Sequence, residues 1–196
     1  MVRLDVFAEE PPGGPRTWLA VAPLRPVPDE YRERGVGVTL GDLRRRDPRI
    51  KEARFVLDRR PFPLAERLAY EDLLLDDAGR IVEGSSSNVY ALLGDRLVTA
   101  REEALPGITQ GIVLELAAEA GLEAELRPIT TEEMARADEA FLTSSTRGLV
   151  GIVQVGERTV GEGVPGPRTR ALWQAYRERV QREARRADEG PVRPRA

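Results

Sequence analysis

The chain has 196 residues, a length that holds one or two domains. Hydrophobic residues make up 41% of it and charged residues 32%, which is too apolar for general disorder, and no apolar run approaches the roughly 20 residues of a membrane-spanning helix. The net charge of −3 carries no nucleic-acid signature and Met1-Val2-Arg3-Leu4-Asp5 opens no signal peptide, so a cytoplasmic protein is expected.

Cysteine and histidine are both absent. That excludes disulfides, thiolate chemistry, every Ser-His-Asp triad and the commonest zinc ligand, and no metal site is expected. An enzyme built from this sequence has to work with lysine, carboxylates, hydroxyls, backbone amides or a bound cofactor. Of the 30 basic residues, 29 are arginine and one is lysine, Lys51. Codon bias accounts for the arginines. Lysine offers a neutral amine and arginine effectively does not, so a Schiff base would have to form at Lys51. Taken alone, the lone lysine reads better as chance survival.

In chain order, Val2 to Phe7 reads as a strand, Glu10 to Pro15 as a turn and Thr17 to Ala22 as a returning strand. Val36 and Val38 mark another short strand. Residues 70 to 100 read as a β-meander: Asp72 to Leu75, a turn at Asp76-Asp77-Ala78-Gly79, and a return at Arg80 to Val82. Asn88 to Leu92 and Arg96 to Thr99 then pair around Gly94-Asp95. A helix is expected over Ile108 to Ala120, with Ile112, Leu116 and Ala120 on one face, Val113 and Ala117 beside them, and Gly121 as the stop. A strand at Glu125 to Pro128 follows. Thr130 and Glu133 then form a capping box that opens a short helix. Ala140 to Thr143 is a buried strand, and Gly156-Glu157-Arg158 turns between strands near Val153 and Val160. The last helix spans Pro167 to about Arg186 with a stripe of Leu172, Tyr176 and Val180. This mixture of hairpins and helices predicts an α+β fold.

Three segments carry polar groups where the flanks look core-forming. Glu83-Gly84-Ser85-Ser86-Ser87-Asn88 lies between apolar strands, and a carboxylate carried there needs a partner. Leu105-Pro106-Gly107-Ile108-Thr109 opens a helix, where free amides and the Thr109 hydroxyl could make an anion site; by itself the segment reads better as Thr109 capping the helix. Thr143-Ser144-Ser145-Thr146 ends an apolar strand, and alone reads as a strand-to-loop exit. A lone lysine, a glutamate in a buried context and two hydroxyl-rich anion sites together suit pyridoxal phosphate. That cofactor needs an amine for its aldehyde, an acid for its ring nitrogen and a cup for its phosphate.

Taken in order, Lys51, the run Leu75 to Tyr90, Leu97-Val98-Thr99, Leu105 to Thr109 and Ala137 to Thr143 resemble the class IV aminotransferases, the fold-type IV pyridoxal-phosphate enzymes. The resemblance extends roughly from Pro48 to Tyr176. It implies the large cofactor domain of that fold, a barrel-like mixed or antiparallel sheet with helices. It divides the chain into 1–47, a remnant of a largely missing N-terminal domain, a cofactor domain at 48–186, and a disordered tail at 187–196.

The resemblance also implies roles. Lys51 would be the Schiff-base lysine and proton shuttle, and Glu83 the partner of the pyridine nitrogen. Leu105 would pack on the ring, while Ile108, Thr109 and Ser145, with Thr146 beside it, would bind phosphate. Asn88 would hold the loop. The implied activity is amino transfer between an amino acid and a 2-oxo acid by a homodimer, with no nucleic-acid or membrane partner. An aminodeoxychorismate-lyase-type elimination is the closest alternative, and a non-catalytic domain that binds cofactor without turnover is the other. Three positions depart from the family pattern: Phe55 stands where a tyrosine is common, Gln110 where a basic residue is, and Gly151 where a proline is.

Overall fold

The computed structural model describes residues 2–6, 17–21, 23–24, 26–52, 54–58 and 67–188. Strands β1 (Val2–Val6) and β2 (Thr17–Val21) form an antiparallel pair of their own, as their turn-separated apolar runs suggest. The expected turn at Glu10 to Pro15, the residues Phe7 and Ala22 and the final segment 189–196 lie outside the described residues.

All other strands join one mixed sheet. After helix α1 (Asp29–Arg34) come β3 (Val36–Gly41), the short helix α2 (Phe55–Asp58), a 3-10 turn (Arg67–Ala69), β4 (Glu71–Leu75) and β5 (Ile81–Gly84). Then follow β6 (Asn88–Leu93), β7 (Arg96–Thr99), helix α3 (Ile108–Glu119), β8 (Glu123–Leu126) and helix α4 (Thr131–Ala135). The last elements are β9 (Glu139–Ser144), β10 (Gly148–Val155), β11 (Arg158–Thr159) and helix α5 (Pro167–Asp188). The order across the sheet is β5-β4-β3-β10-β9-β6-β7-β8, with β11 paired to β10. The pairs β3·β4, β3·β10 and β7·β8 are parallel and the rest antiparallel.

The sheet curls until its ends meet: Ile81 on β5 and Ile129, just past β8, exchange two backbone hydrogen bonds of 2.7 and 2.9 Å. Strand β3 lies in the middle of this sheet, so the sheet draws on residues ahead of the 47/48 division.

Both faces of the central strands are covered, and the two-residue period sorts their side chains between two cores. Val89, Ala91, Ala140, Leu142, Val150 and Ile152 point into the curl with Ile81, Ile129 and Met134. Their neighbours Tyr90, Leu92, Phe141 and Leu149 point outward against Val113, Leu116 and Ala117 of α3 and Leu172 and Tyr176 of α5. The Tyr90 and Phe141 rings stack at 4.4 Å, and the Tyr90 hydroxyl meets Thr143 Oγ1 at 3.0 Å.

The structure corrects several expectations. Residues 70 to 100 are not a continuous meander. The hairpins β4–β5 and β6–β7 form, but β5 ends one side of the sheet while β6 pairs with β9. The chain crosses between them at 84–87, bridged only at Gly84 and Ser87. β8 covers Glu123–Leu126, two residues earlier than expected, because it pairs parallel with β7 from Glu123 onward, and its mostly exposed Glu-Ala-Glu-Leu run does not mark that start. The buried face of α3 is Thr109, Gln110, Val113, Leu116 and Ala117; Ala120 is exposed. Val160 follows β11 rather than lying within it. Val180 is 43% exposed, since α5 has run past the sheet by that turn. The Thr130–Glu133 capping box forms in full, with bonds of 3.1 and 3.0 Å.

Candidate active site

The crossing at 84–87 stands beside two other irregular places, the loop before α3 and the turn between β9 and β10. A cavity of about 70 Å³ lies among them, lined by Lys51, Glu83, Ser86, Ser87, Asn88, Leu105, Gly107, Ile108, Thr109, Thr143, Ser144 and Ser145. Six of the seven residues expected in the site therefore meet at one place. The seventh, Thr146, is exposed on the same turn as Ser145 and does not line the cavity.

Lys51 is exposed, on the irregular segment between β3 and α2. Glu83 is almost fully buried on β5. Its Oε2 accepts a 3.2 Å hydrogen bond from the Leu105 N–H, and its Oε1 pairs with Arg45 Nε. Burial pushes the Glu83 carboxyl above its ordinary range, and Arg45 pulls it part of the way back. The Arg45 guanidinium also lies 3.9 Å over the ring of Phe55. Phe55 is buried with Leu74, Val82, Ala100 and Ala104, an apolar setting that suits a ring with no hydroxyl.

The first turn of α3 faces the cavity without a side-chain cap, since Gly107 occupies the N-cap position. Its leading N–H groups have no intrahelical acceptor, and the helix dipole adds positive potential there. Thr109 is buried at this turn. Asn88 holds the approach: its Nδ2 donates to the Leu105 carbonyl at 2.9 Å. Gly107 is required by this packing, because a Cβ there would collide with Asn88 Oδ1. Ser87 Oγ is buried against the cavity with no hydrogen-bond partner among the described residues.

The two remaining departures from the family pattern have local causes. Gln110 is fully buried and donates from Nε2 to Thr99 Oγ1 at 3.2 Å and to the Ala100 carbonyl at 2.9 Å; a charged side chain there would need a counter-ion. Gly151 faces Pro165, whose Cβ would lie 2.9 Å from any Cβ at 151, so the two residues share the space of one ring.

Sequence reasoning missed Arg45, Glu71 and Arg147. The Glu71–Arg147 pair lies directly behind the serine crossing, with Arg147 Nη1 2.8 Å from Glu71 Oε2 and both side chains nearly buried. Burial works against the charge on Arg147, but Glu71 and Tyr70 outweigh it and hold the guanidinium protonated. The available signal was the presence of charges inside otherwise apolar flanks, at Glu71 before Leu73-Leu74-Leu75 and at Arg147 before Leu149-Val150.

A family profile described as Amino-transferase class IV matches residues 2–155. The D-alanine aminotransferase of Bacillus licheniformis is 36% identical over 117 residues, which cover 59% of this chain and 41% of that protein. The T.th. branched-chain amino acid aminotransferase, solved in complex with N-(5'-phosphopyridoxyl)-L-glutamate, superposes with a TM-score of 0.54 at 30% identity, covering 56% of this chain and 37% of that one. The 4-amino-4-deoxychorismate lyase of Pseudomonas aeruginosa superposes with a TM-score of 0.72 at 25% identity, covering 84% and 63%. The chain thus spans less than two thirds of the length of each of these proteins.

Proposed function

Because this chain belongs to the class IV aminotransferase family, we propose that it is a pyridoxal-phosphate-dependent enzyme moving an amino group between an amino acid and a 2-oxo acid. The observation that carries this reading is the convergence of Lys51, Glu83 and the uncapped first turn of α3 on one cavity. The residues fit the cofactor in kind. There is an amine for an aldehyde, an acid for a ring nitrogen, and a donor-rich cup in which Ser87 Oγ stands buried and unpartnered. The solved T.th. relative with its phosphopyridoxyl ligand supports the same cofactor.

When bound, pyridoxal phosphate supplies an aldehyde that takes up the substrate amine and a ring that withdraws electrons from the substrate Cα. Lys51 would supply the amine that holds the cofactor and, when free, the base that moves the proton at the substrate Cα. The Glu83 carboxylate would keep the ring nitrogen protonated. The Ile108 and Thr109 N–H groups, with the Thr109 and Ser145 hydroxyls, would hold the phosphate at the positive end of α3, while Thr146, outside the cavity, would need to turn inward to add a donor. Leu105, at the cavity wall, would pack on the ring. The same family resemblance supports a cytoplasmic homodimer.

The likeness to 4-amino-4-deoxychorismate lyase favours a second reading, elimination of pyruvate with the same cofactor. The test is a visible spectrum of the protein with pyridoxal phosphate, beside Lys51→Ala. The expected result is an absorbance band that survives dialysis, is absent from the variant, bleaches with an amino donor and returns with a 2-oxo acid. Pyruvate release without an acceptor would select the lyase. A folded chain that shows no band would overturn both readings.

A further inference from the structure

We propose that Glu71 and Arg147 are positioning residues that set the two hydroxyl-bearing turns of the phosphate cup relative to each other. This inference rests on the cofactor reading above. The turns are the crossing at 84–87 and the β9–β10 connection at 144–147. Their strands run side by side, but the β6–β9 ladder ends at the Asn88–Thr143 pair. Beyond that pair the backbone ladder no longer joins the two turns, and side chains take over.

Arg147 spans the gap. Its Nη2 donates to the Ser86 carbonyl at 2.9 Å and to Ser86 Oγ at 2.8 Å, and its Nε donates to Ser144 Oγ at 2.9 Å. The third nitrogen, Nη1, donates to Glu71 Oε2 at 2.8 Å. The other Glu71 oxygen, Oε1, accepts from Ser86 N–H, from Ser86 Oγ at 2.9 Å and from Ser85 Oγ at 3.4 Å. Ser86 is therefore gripped by both charges, and Ser144 by one. Each gripped serine is followed by a serine that lines the cavity, Ser87 after Ser86 and Ser145 after Ser144. From the outer side, Arg32 donates to the carbonyls of Arg147 and Leu149, both at 2.8 Å, so the cation's own backbone is fixed as well.

Stability alone does not account for such a pair. Two buried charges lose their hydration, and apolar side chains of similar volume often serve a fold as well or better. What the pair adds is direction. A planar guanidinium with donors in a rigid fork fixes several acceptors at once, which neither an apolar contact nor an ammonium does.

The test uses the full chain and compares pyridoxal phosphate with pyridoxal, which differ only in the phosphate. The variants are the apolar double replacement Glu71→Leu/Arg147→Met and the charge-keeping Arg147→Lys. Dissociation constants for both ligands are measured by absorbance titration, with circular dichroism and cooperative unfolding as checks on the fold. The wild type is expected to prefer the phosphorylated ligand. The double variant should lose about tenfold of that preference, the effect of one mis-set hydrogen bond to a charged group, while its affinity for pyridoxal holds. Arg147→Lys should lose an intermediate part. A preference equal to wild type in the folded double variant overturns the proposal, as does an equal fall in both affinities, which marks a merely structural role. If the double variant does not fold, an unchanged preference in Arg147→Lys overturns it. A wild-type protein without any preference overturns the phosphate-cup reading first, and this inference with it.

Discussion

Glu71 and Glu83 sit on neighbouring antiparallel strands, both buried and both facing an arginine, yet their surroundings differ. Glu71 takes all its donors from the fold, and its partner Arg147 is spent on both turns behind the cavity. Glu83 takes one backbone N–H, and its cation comes from Arg45, on the same irregular segment that carries Lys51. The first pair is closed on every side. The second stands at the wall of an open cavity of about 70 Å³. Similar chemistry thus stands in two settings: one carboxylate is enclosed by the turns it binds, and the other borders a cavity.

Removing the closed pair's cation should have the largest effect. Arg147→Ala leaves the Glu71 carboxylate buried without its cation and the Ser86 carbonyl without its donor, and should cost about 3–5 kcal/mol in urea unfolding. A loss under about 1 kcal/mol would mean that the pair is not closed in solution.

Arg45→Ala should cost less, about 1–3 kcal/mol at pH 8, because Glu83 borders a cavity and keeps its bond from Leu105. The sign of its pH dependence follows from the raised pKa. Below that pKa the folded chain holds Glu83 neutral, and a neutral acid needs no counter-ion. The penalty of Arg45→Ala should therefore shrink at pH 5 and grow as pH rises. Unfolding curves at the two pH values check this; a penalty that is larger at pH 5 refutes the assignment.

The smallest effect is expected at an ion pair far from the cavity. The Arg127 guanidinium, bonded to Glu133 at 2.7 and 2.9 Å, holds the Glu133 carboxyl down to about 2. A carboxylate depressed in the folded state contributes stability that is present above its ordinary value of 4.5 and is lost as pH falls toward 2. Glu133→Gln keeps the capping geometry and removes the charge. It should cost about 1 kcal/mol or less at pH 7 and nothing near pH 2, and an equal cost at both pH values would assign the effect to the cap alone.

Much of the fold is legible residue by residue. The turn chemistry at Asp76 to Gly79 and Gly94-Asp95 places two hairpins, and Thr130 with Glu133 places a cap, because each signal is complete within a few residues. The β4-to-β6 connection is not legible, since its direction depends on how far the sheet curls. The edge strand β8 is legible as a strand but not in its start, because its Glu-Ala-Glu-Leu run is mostly exposed and pairs through its backbone. In the site, Lys51 and Glu83 stand out as rare or misplaced residue types. Arg45 does not, being one arginine among 29.

The sequence by itself determined the chemical inventory: one amine, no imidazole or thiol, a glutamate between apolar strands, and hydroxyls at a helix start and a strand end. These follow from composition and local pattern, which need no knowledge of what lies across the molecule. The tertiary structure alone decided which arginine each glutamate meets, Arg147 for Glu71 across 76 positions and Arg45 for Glu83 across 38. Pairing at such separations is set by the closure of the sheet, and one chain read in order holds no local signal for it.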